Sequence, residues 1–349
     1  MKTIITITGI RPDFIRMSEI FKKLDENFNH ILIHSGQHYN KLLSDVFFNE
    51  LEIREPDYNL GVGGPNKEHF HQTAELSVKI IELIRKKNLK PDLILFLGDS
   101  NSVVCSIPLK KEGFKIGHIE AGMRSGDKRM LEEINRMVCD NCSDFLFVYH
   151  ENYAAKLFKE NIKNNVHVVG NTIVEVVNKN IPSREKKNKH VILDVHRPEN
   201  FKDVNRLTNI ITYAKMFDSV KLLAFPRTLK AIDDFNINTD GIEIIDLQPF
   251  KSYLNIVYDA NVLISDSGTA QEEPALLNTP VIVPRDFTER PESVENGCSF
   301  MLDVNTTFND TWSKSLHWVK DYSVSNKNST WLGNGTTSEK IIQILKEQL

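Results

Sequence analysis

Four side chains stand where they could work on a reacting proton: Asp99, Glu120, Glu132 and His196. Asp99 and Glu120 follow apolar runs, in F-L-G-D and H-I-E, and His196 does the same in D-V-H-R-P-E-N. Carboxylates gathered in one place push each other's pKa values apart, so that acid and base coexist near neutrality. That equipment suits proton transfer. In isolation Glu132 and Glu133 read differently, as a solvated helix face with Arg136 as an i, i+4 or i, i+3 partner. A lone histidine is more often structural, so His196 is singled out by its neighbours.

A second chemistry is suggested by S-D-S-G-T-A-Q-E-E-P, residues 265–274, which joins the apolar run Ala260 to Ile264 to an expected helix start. Asp266, Ser267 and Thr269 are helix-capping types, and Gly268 lets backbone approach a ligand. The first N–H groups of a helix also carry the positive end of its dipole. Phosphate or diphosphate is the natural guest. The same residue types cap ordinary helices, and this stretch alone leaves both readings open.

The elements that must position these groups follow from the hydrophobic pattern. Apolar runs recur at Thr3–Thr8, His30–His34, Leu93–Leu97, Lys115–His118, Phe145–Tyr149 and Val166–Val169, with helical patterns between several of them. The alternation restarts at Val191–Val195, Val220–Ala224, Ile242–Asp246, Asn261–Ser265 and Pro280–Val283, after the polar, proline-broken stretch from Asn178 to Lys189. Runs without polar alternation are what strands buried on both faces look like, so parallel sheets covered by helices are expected. Helices are expected at Phe14–Asn27, Lys67–Asn88 and Ser338–Gln348. There is no G-x-G-x-x-G after a strand and no Walker-type G-K-[ST].

The chain has 349 residues with 40% hydrophobic and 26% charged, room for two domains of ordinary size. Its net charge of −4 shows no basic excess, which argues against a dedicated nucleic-acid binder. There is no secretion-type leader and no apolar run of membrane-spanning length, so a cytosolic protein is expected. Cys105, Cys139, Cys142 and Cys298 are too few for a disulfide framework, and reduced thiols are expected. Cys139 and Cys142 form a C-x-x-C inside an expected helix, with no second pair to complete a metal site.

Ligands of open parallel sheets sit beyond the carboxyl ends of the strands. Polar residues collect there: Arg11 and Arg16, Gln37 and His38, Asp99, Glu120, then His196, Arg227, Ser267 to Glu273, and Arg290. Two Rossmann-like, doubly wound α/β domains facing one cleft are therefore the expected fold class.

Taken in order, T-G-I-R-P-D-F-I-R-M at 8–17, G-Q-H at 36–38, G-D-S-N-S at 98–102, H-I-E-A-G-M-R-S at 118–125, E-E-I-N-R at 132–136, H-R-P-E-N at 196–200, D-S-G-T-A-Q-E-E at 266–273 and R-D-F-T-E-R-P-E at 285–292 span nearly the whole chain. This series closely resembles the non-hydrolysing UDP-N-acetylglucosamine 2-epimerase family. The resemblance implies a glycosyltransferase-B-like fold: an N-terminal domain over 1–170, a UDP-binding domain over 171–335, and a helix over 336–349 that returns to the first domain. It also implies a route, in which UDP is eliminated to leave a 2-acetamidoglucal and adds back after C2 is reprotonated on the opposite face. By motif match Asp99, Glu120 and Glu132 are the acid/base carboxylates, and His196 assists the departing diphosphate. Arg11, Arg16, Ser267, Gly268 and Arg290 hold phosphates and Glu273 meets the ribose, with Gln37, His38, Arg136, Arg227 and Thr269 also on the substrate. No metal, no nicotinamide, no nucleic acid and no membrane are expected, and a homodimer is implied by the resemblance.

Three positions depart from the family pattern: Arg16 where Lys is usual, Thr269 where a second Gly is usual, and Phe225 where a His precedes the proline. In the UDP-N-acetylglucosamine enzymes that His belongs to the region linked to allosteric activation by substrate. The spacing between Glu120 and Glu132 also resembles relatives acting on UDP-2-acetamido-2,6-dideoxyhexoses or UDP-diacetamido uronic acids. The hydrolysing 2-epimerases usually carry Ala, not Pro, after the first-motif Arg, which argues against that branch. A glycosyltransferase of the same fold is a further reading, and it needs an acceptor face that the first domain does not display.

Overall fold

The computed structural model describes residues 1–37, 48–64, 68–127, 130–187, 189–322 and 329–349. Residue-residue contacts divide the chain into two compact units, one made of Met1–Val176 with Leu332–Leu349, the other of Val177–Trp331.

The first unit is built on seven strands: β1 (Thr3–Thr8), β2 (Asn29–His34), β3 (Tyr58–Asn59), β4 (Leu93–Leu97), β5 (Ile116–Ile119), β6 (Phe145–Val148) and β7 (Val166–Val168). All pairings are parallel and the order is β3-β2-β1-β4-β5-β6-β7. Every residue of β4 is buried, which is why its sequence shows no polar alternation. One face of the sheet meets Leu76, Ile80, Val103 and Leu109. The helix Arg11–Asn27 starts three residues before the sequence pattern predicts, because Pro12 occupies its first turn and needs no N–H partner there. The last helix, Thr337–Gln348, belongs to this unit: Thr337 Oγ1 donates to Val169 O at 3.1 Å, and Glu175 Oε1 accepts from Ser338 N at 2.8 Å.

The second unit has six strands: β8 (His190–Asp194), β9 (Val220–Leu223), β10 (Ile242–Ile245), β11 (Ala260–Ser265), β12 (Val281–Val283) and β13 (Ser299–Met301). The order β10-β9-β8-β11-β12-β13 is again all parallel. Its core gathers Leu193, Leu207, Tyr213 and Ile264 around Trp312, whose Nε1 donates to Asp303 O at 2.9 Å. Two strands were not signalled by apolar runs: β3 is only two residues long, and β13 is the half-buried edge of its sheet.

Both units are therefore doubly wound α/β sheets with the same order over six strands, β7 extending the first at its edge, the components of a glycosyltransferase-B-like fold. In each, the order reverses between the first and fourth strands, β1 and β4 or β8 and β11. That reversal opens a crevice at the carboxyl ends. All four cysteines are free, with Cys139 and Cys142 on the helix Leu131–Cys142. No helix among the described residues is long and apolar enough to cross a membrane.

Candidate active site

The carboxyl ends of β4 and β5 present Asp99 and Glu120. Glu120 is 5% exposed and sits at φ 73°, a left-handed conformation that costs a non-glycine residue energy and is found where the surroundings hold it. What holds it is partly charge: Arg16 Nη1, from the helix after β1, donates to Glu120 Oε2 at 2.8 Å. Tyr149 lies against the same guanidinium, its ring centroid 5.9 Å away. Asp99 is secured from the helix Leu131–Cys142, where Arg136 Nη2 pairs with Asp99 Oδ2 and Asn135 Nδ2 donates to Asp99 O at 2.8 Å.

The i, i+3 reading of Glu132, Glu133 and Arg136 as a solvated face is corrected by this geometry. Arg136 is 1% exposed and Glu133 4%, because the helix turns that face into the protein. Arg136 reaches Asp99, lies 4.0 Å from Glu120, and keeps only a 3.8 Å contact to Glu133. Glu133 instead accepts from Ser125 N and Gly126 N at 2.9 and 3.1 Å, shaping the loop ahead of the helix. Glu132, in the first turn, is only partly buried.

Behind these carboxylates lies a buried histidine, which the sequence marks only by its place at the end of an apolar run. His118 is fully buried between Asp140 Oδ1, at 2.6 Å from Nδ1, and the Gly98 carbonyl, at 2.8 Å from Nε2. Asp140 Oδ2 also accepts from Gly122 N at 3.1 Å and meets Arg124 Nη2 at 2.7 Å, as an ionised carboxylate does. With acceptors on both sides, both ring nitrogens donate and His118 is an imidazolium. Burial alone would lower its pKa, but the surrounding Cys139 and Asp140 hold it well above the ordinary histidine value. The imidazolium thus ties the Gly98 carbonyl, one residue before Asp99, to the strand that ends in Glu120.

In the second unit the switch point between β8 and β11 carries His196. Its Nδ1 lies 2.9 Å from Asp194 Oδ1 and 3.5 Å from Asp266 Oδ1. Burial would lower the imidazole's pKa; the two carboxylates outweigh it, and the value is raised. Asp194 is itself braced by Ser265 Oγ at 3.0 Å, and the Phe225 ring packs on the imidazole with centroids 4.8 Å apart.

The stretch 265–274 is corrected in two respects. It opens no long helix: a 3-10 turn over Thr269–Gln271 leads to a helix of only four residues, Glu273–Leu276, with Pro274 in its first turn. A helix that short sums few peptide dipoles, so approach of an anion there depends on backbone N–H groups and hydroxyls. Asp266 also does not cap this turn. Its carboxylate accepts from His196 N, Arg197 N and Asn200 Nδ2, each at 3.0 Å, and so shapes the loop that carries the imidazole. The ligand atoms of Asp194, His196 and Asp266 lie within 4.8 Å of one another. With their carboxylate oxygens engaged in these hydrogen bonds, the arrangement orients a histidine.

Ser267 and Thr269 hydroxyls meet at 3.1 Å. Beneath them Arg290 pairs with Glu289 at 2.7 Å and Glu272 at 2.8 Å, all nearly excluded from water. Gly268 lies directly on that pair: a Cβ there would stand 2.2 Å from Glu289 Oε1 and 2.6 Å from Arg290 Nη1. Glu273 is buried in the short helix. Arg11 and Gln37 are half-buried at the ends of β1 and β2, Arg227 is exposed in the first turn of the helix Pro226–Asp234, and His38 lies outside the described residues.

A family model described as UDP-N-acetylglucosamine 2-epimerase matches residues 22–346. The chain belongs to that family. A UDP-N-acetylglucosamine 2-epimerase of Methanococcus maripaludis is 33% identical over 367 residues, covering 97% of each chain. The UDP-2,3-diacetamido-2,3-dideoxy-D-glucuronate 2-epimerase of Pseudomonas aeruginosa is 30% identical over 317 residues, covering 86% of this chain and 88% of that one. Among solved structures, the Methanocaldococcus jannaschii UDP-GlcNAc 2-epimerase in complex with UDP-GlcNAc and UDP superposes with a TM-score of 0.88 at 32% identity, covering 99% of both chains. In this UDP-N-acetylglucosamine 2-epimerase family member, the sequence marked His118 only as a strand-end residue beside Glu120, and did not mark Asn135, Asp140, Asp194 or the role of Asp266. The motifs H-I-E, D-V-H and E-E-I-N-R contain His118, Asp194 and Asn135, but only contact shows what they hold.

Proposed function

We propose that this chain is a non-hydrolysing UDP-N-acetylglucosamine 2-epimerase that interconverts UDP-GlcNAc and UDP-ManNAc for surface polysaccharide precursors. The observation that carries the reading is the pair of carboxylates at the ends of β4 and β5, each bound by a guanidinium that is almost wholly buried. C2 of the sugar has no adjacent carbonyl to make its proton acidic, so removing that proton requires a positioned base and a departing diphosphate. A carboxylate takes the C2 proton, the bond from C1 to the diphosphate oxygen breaks, and its electrons leave with UDP. Reprotonation of the glucal at C2 from the opposite face, with UDP adding back at C1, completes the inversion. Asp99, Glu120 and Glu132 share the proton transfers, and the His196 cation faces the charge growing on the diphosphate. Arg11, Arg16, Ser267, Gly268 and Arg290 serve the phosphates, and Glu273 the ribose. The enzyme works in the cytoplasm as a homodimer.

Proton NMR with UDP-GlcNAc in deuterated water tests this directly. UDP-ManNAc carrying deuterium at C2 is the expected product; free UDP and free sugar in equal amounts would mean hydrolysis instead. The Pseudomonas aeruginosa relative favours one other substrate, a UDP-diacetamido uronic acid. Inertness toward UDP-GlcNAc together with turnover of that sugar would transfer the assignment to it.

A second expectation concerns Gly268. Its φ of −64° and ψ of −46° suit any residue, so Gly268→Ala acts through space alone. The new methyl group separates Glu289 from Arg290 and should weaken UDP binding about tenfold or more by calorimetry, tenfold being about 1.4 kcal/mol. Unaltered affinity would remove the turn from the diphosphate site.

A further inference from the structure

One buried carboxyl beside the acid/base groups has no part in the roles above. Asp13 lies in the first turn of the helix after β1, 3% exposed. Its Oδ2 accepts from Thr8 Oγ1 at 3.1 Å, at the end of β1, and from Ser100 Oγ at 3.4 Å, just after β4. Asp99 and Glu120 face it from the ends of β4 and β5. Arg16 on its own helix is engaged by Glu120, and Arg136 from the helix Leu131–Cys142 by Asp99. Among the described residues no cation pairs with Asp13 itself. A buried carboxylate without a cation is costly, and such a group takes up a proton instead.

We propose that Asp13 is a further working residue of this site, a carboxyl that keeps its proton in the active enzyme, and that its ionisation closes the active range on the alkaline side. While Asp13 is neutral, Asp99 and Glu120 are the carboxylate charges acting on it, each paired with a guanidinium. Once it ionises, a third carboxylate repels the negative charge that builds on the substrate as C2 loses its proton and the diphosphate departs, so the rate falls. The direction of its own titration agrees. Burial, then the nearby Asp99 and Glu120 charges, push the carboxyl up to about 8, against the Thr8 hydroxyl and the Gly9 backbone, which favour the charged form. The protonation rests on burial and on the lack of a paired cation among the described residues, whereas the effect on rate rests on the epimerase reading.

The test is carbon-13 NMR of protein labelled at aspartate side-chain carboxyls, titrated from about pH 6 to about pH 10. One resonance, missing from Asp13→Asn, should titrate with a midpoint near 8. Thr8→Val removes a donor that favours the charged form, so it should move that midpoint upward; it also identifies the resonance if Asp13→Asn does not fold. Rates of C2 deuterium exchange, each normalised to its own value near neutrality, should show the alkaline midpoint moving upward in both variants. An Asp13 resonance already ionised at the acid end of the titration overturns the proposal whether or not any UDP sugar is turned over. A titrating resonance with unmoved alkaline midpoints overturns the link to the active range. A titrating resonance in a protein that exchanges no C2 proton tells against the epimerase reading and leaves the Asp13 proton standing.

Discussion

Glu120→Gln is expected to lower the rate of C2 deuterium exchange by about two to four orders of magnitude, the range for loss of a positioned acid or base, while UDP still binds. The amide keeps the size of the side chain and an oxygen for Arg16, so geometry is nearly preserved and only the capacity to carry a proton is lost. Stability should fall too. Arg16 is 3% exposed and loses its carboxylate partner at 2.8 Å, and breaking a buried pair from one side costs about 3–5 kcal/mol. A melting curve measures the second effect, and exchange measured well below the transition isolates the first. Exchange at the unsubstituted rate in a folded Glu120→Gln protein would remove Glu120 from the mechanism.

Asp194→Asn should act through His196, with a loss of about two to three orders of magnitude in turnover, as when one preorganised group facing transition-state charge is lost. Asp194 Oδ1 lies 2.9 Å from His196 Nδ1 and is the leading cause of the raised imidazole pKa. An amide there removes the charge that offsets burial, so the imidazole titrates at lower pH and carries less positive charge near neutrality. The proton resonance of the His196 ring reports that midpoint directly. Because the folded-state pKa is raised, His196 contributes stability that is complete below the unfolded histidine value and is lost as pH rises through the folded one. In Asp194→Asn this dependence should shrink along with turnover. A ring that titrates unchanged would mean that Asp194 holds the loop and not the charge.

The two effects lie at matching places in the two sheets, and that parallel was only partly legible from the residues in order. Strand-end position was enough to select Asp99, Glu120 and His196, since a parallel sheet delivers whatever follows each apolar run to the same edge. It could not say which partner each would take. Arg136 read as a helix-surface partner of Glu132 and Glu133, but it is 1% exposed and turned toward Asp99. Asp266 read as the cap of its own turn, whereas its carboxylate crosses to the backbone of His196 and Arg197. In both cases local spacing offered a satisfactory partner, and a long-range one prevailed because burial leaves no water to satisfy the charge.

What the amino-acid sequence determined by itself is the periodic part of the protein. Uninterrupted apolar runs specify strands buried on both faces, their alternation with helices specifies two parallel sheets, and the ordered motifs specify the family. What only the tertiary structure decided is the state of each charged group. Pairing of Arg16 with Glu120, the imidazolium at His118, the burial of Asp13 with no cation on it among the described residues, and the contact of Gly268 with the Glu289–Arg290 pair join residues distant along the chain or depend on which face a helix buries. Desolvation and Coulomb energy vary steeply with distance and burial, and neither quantity exists until the chain has folded.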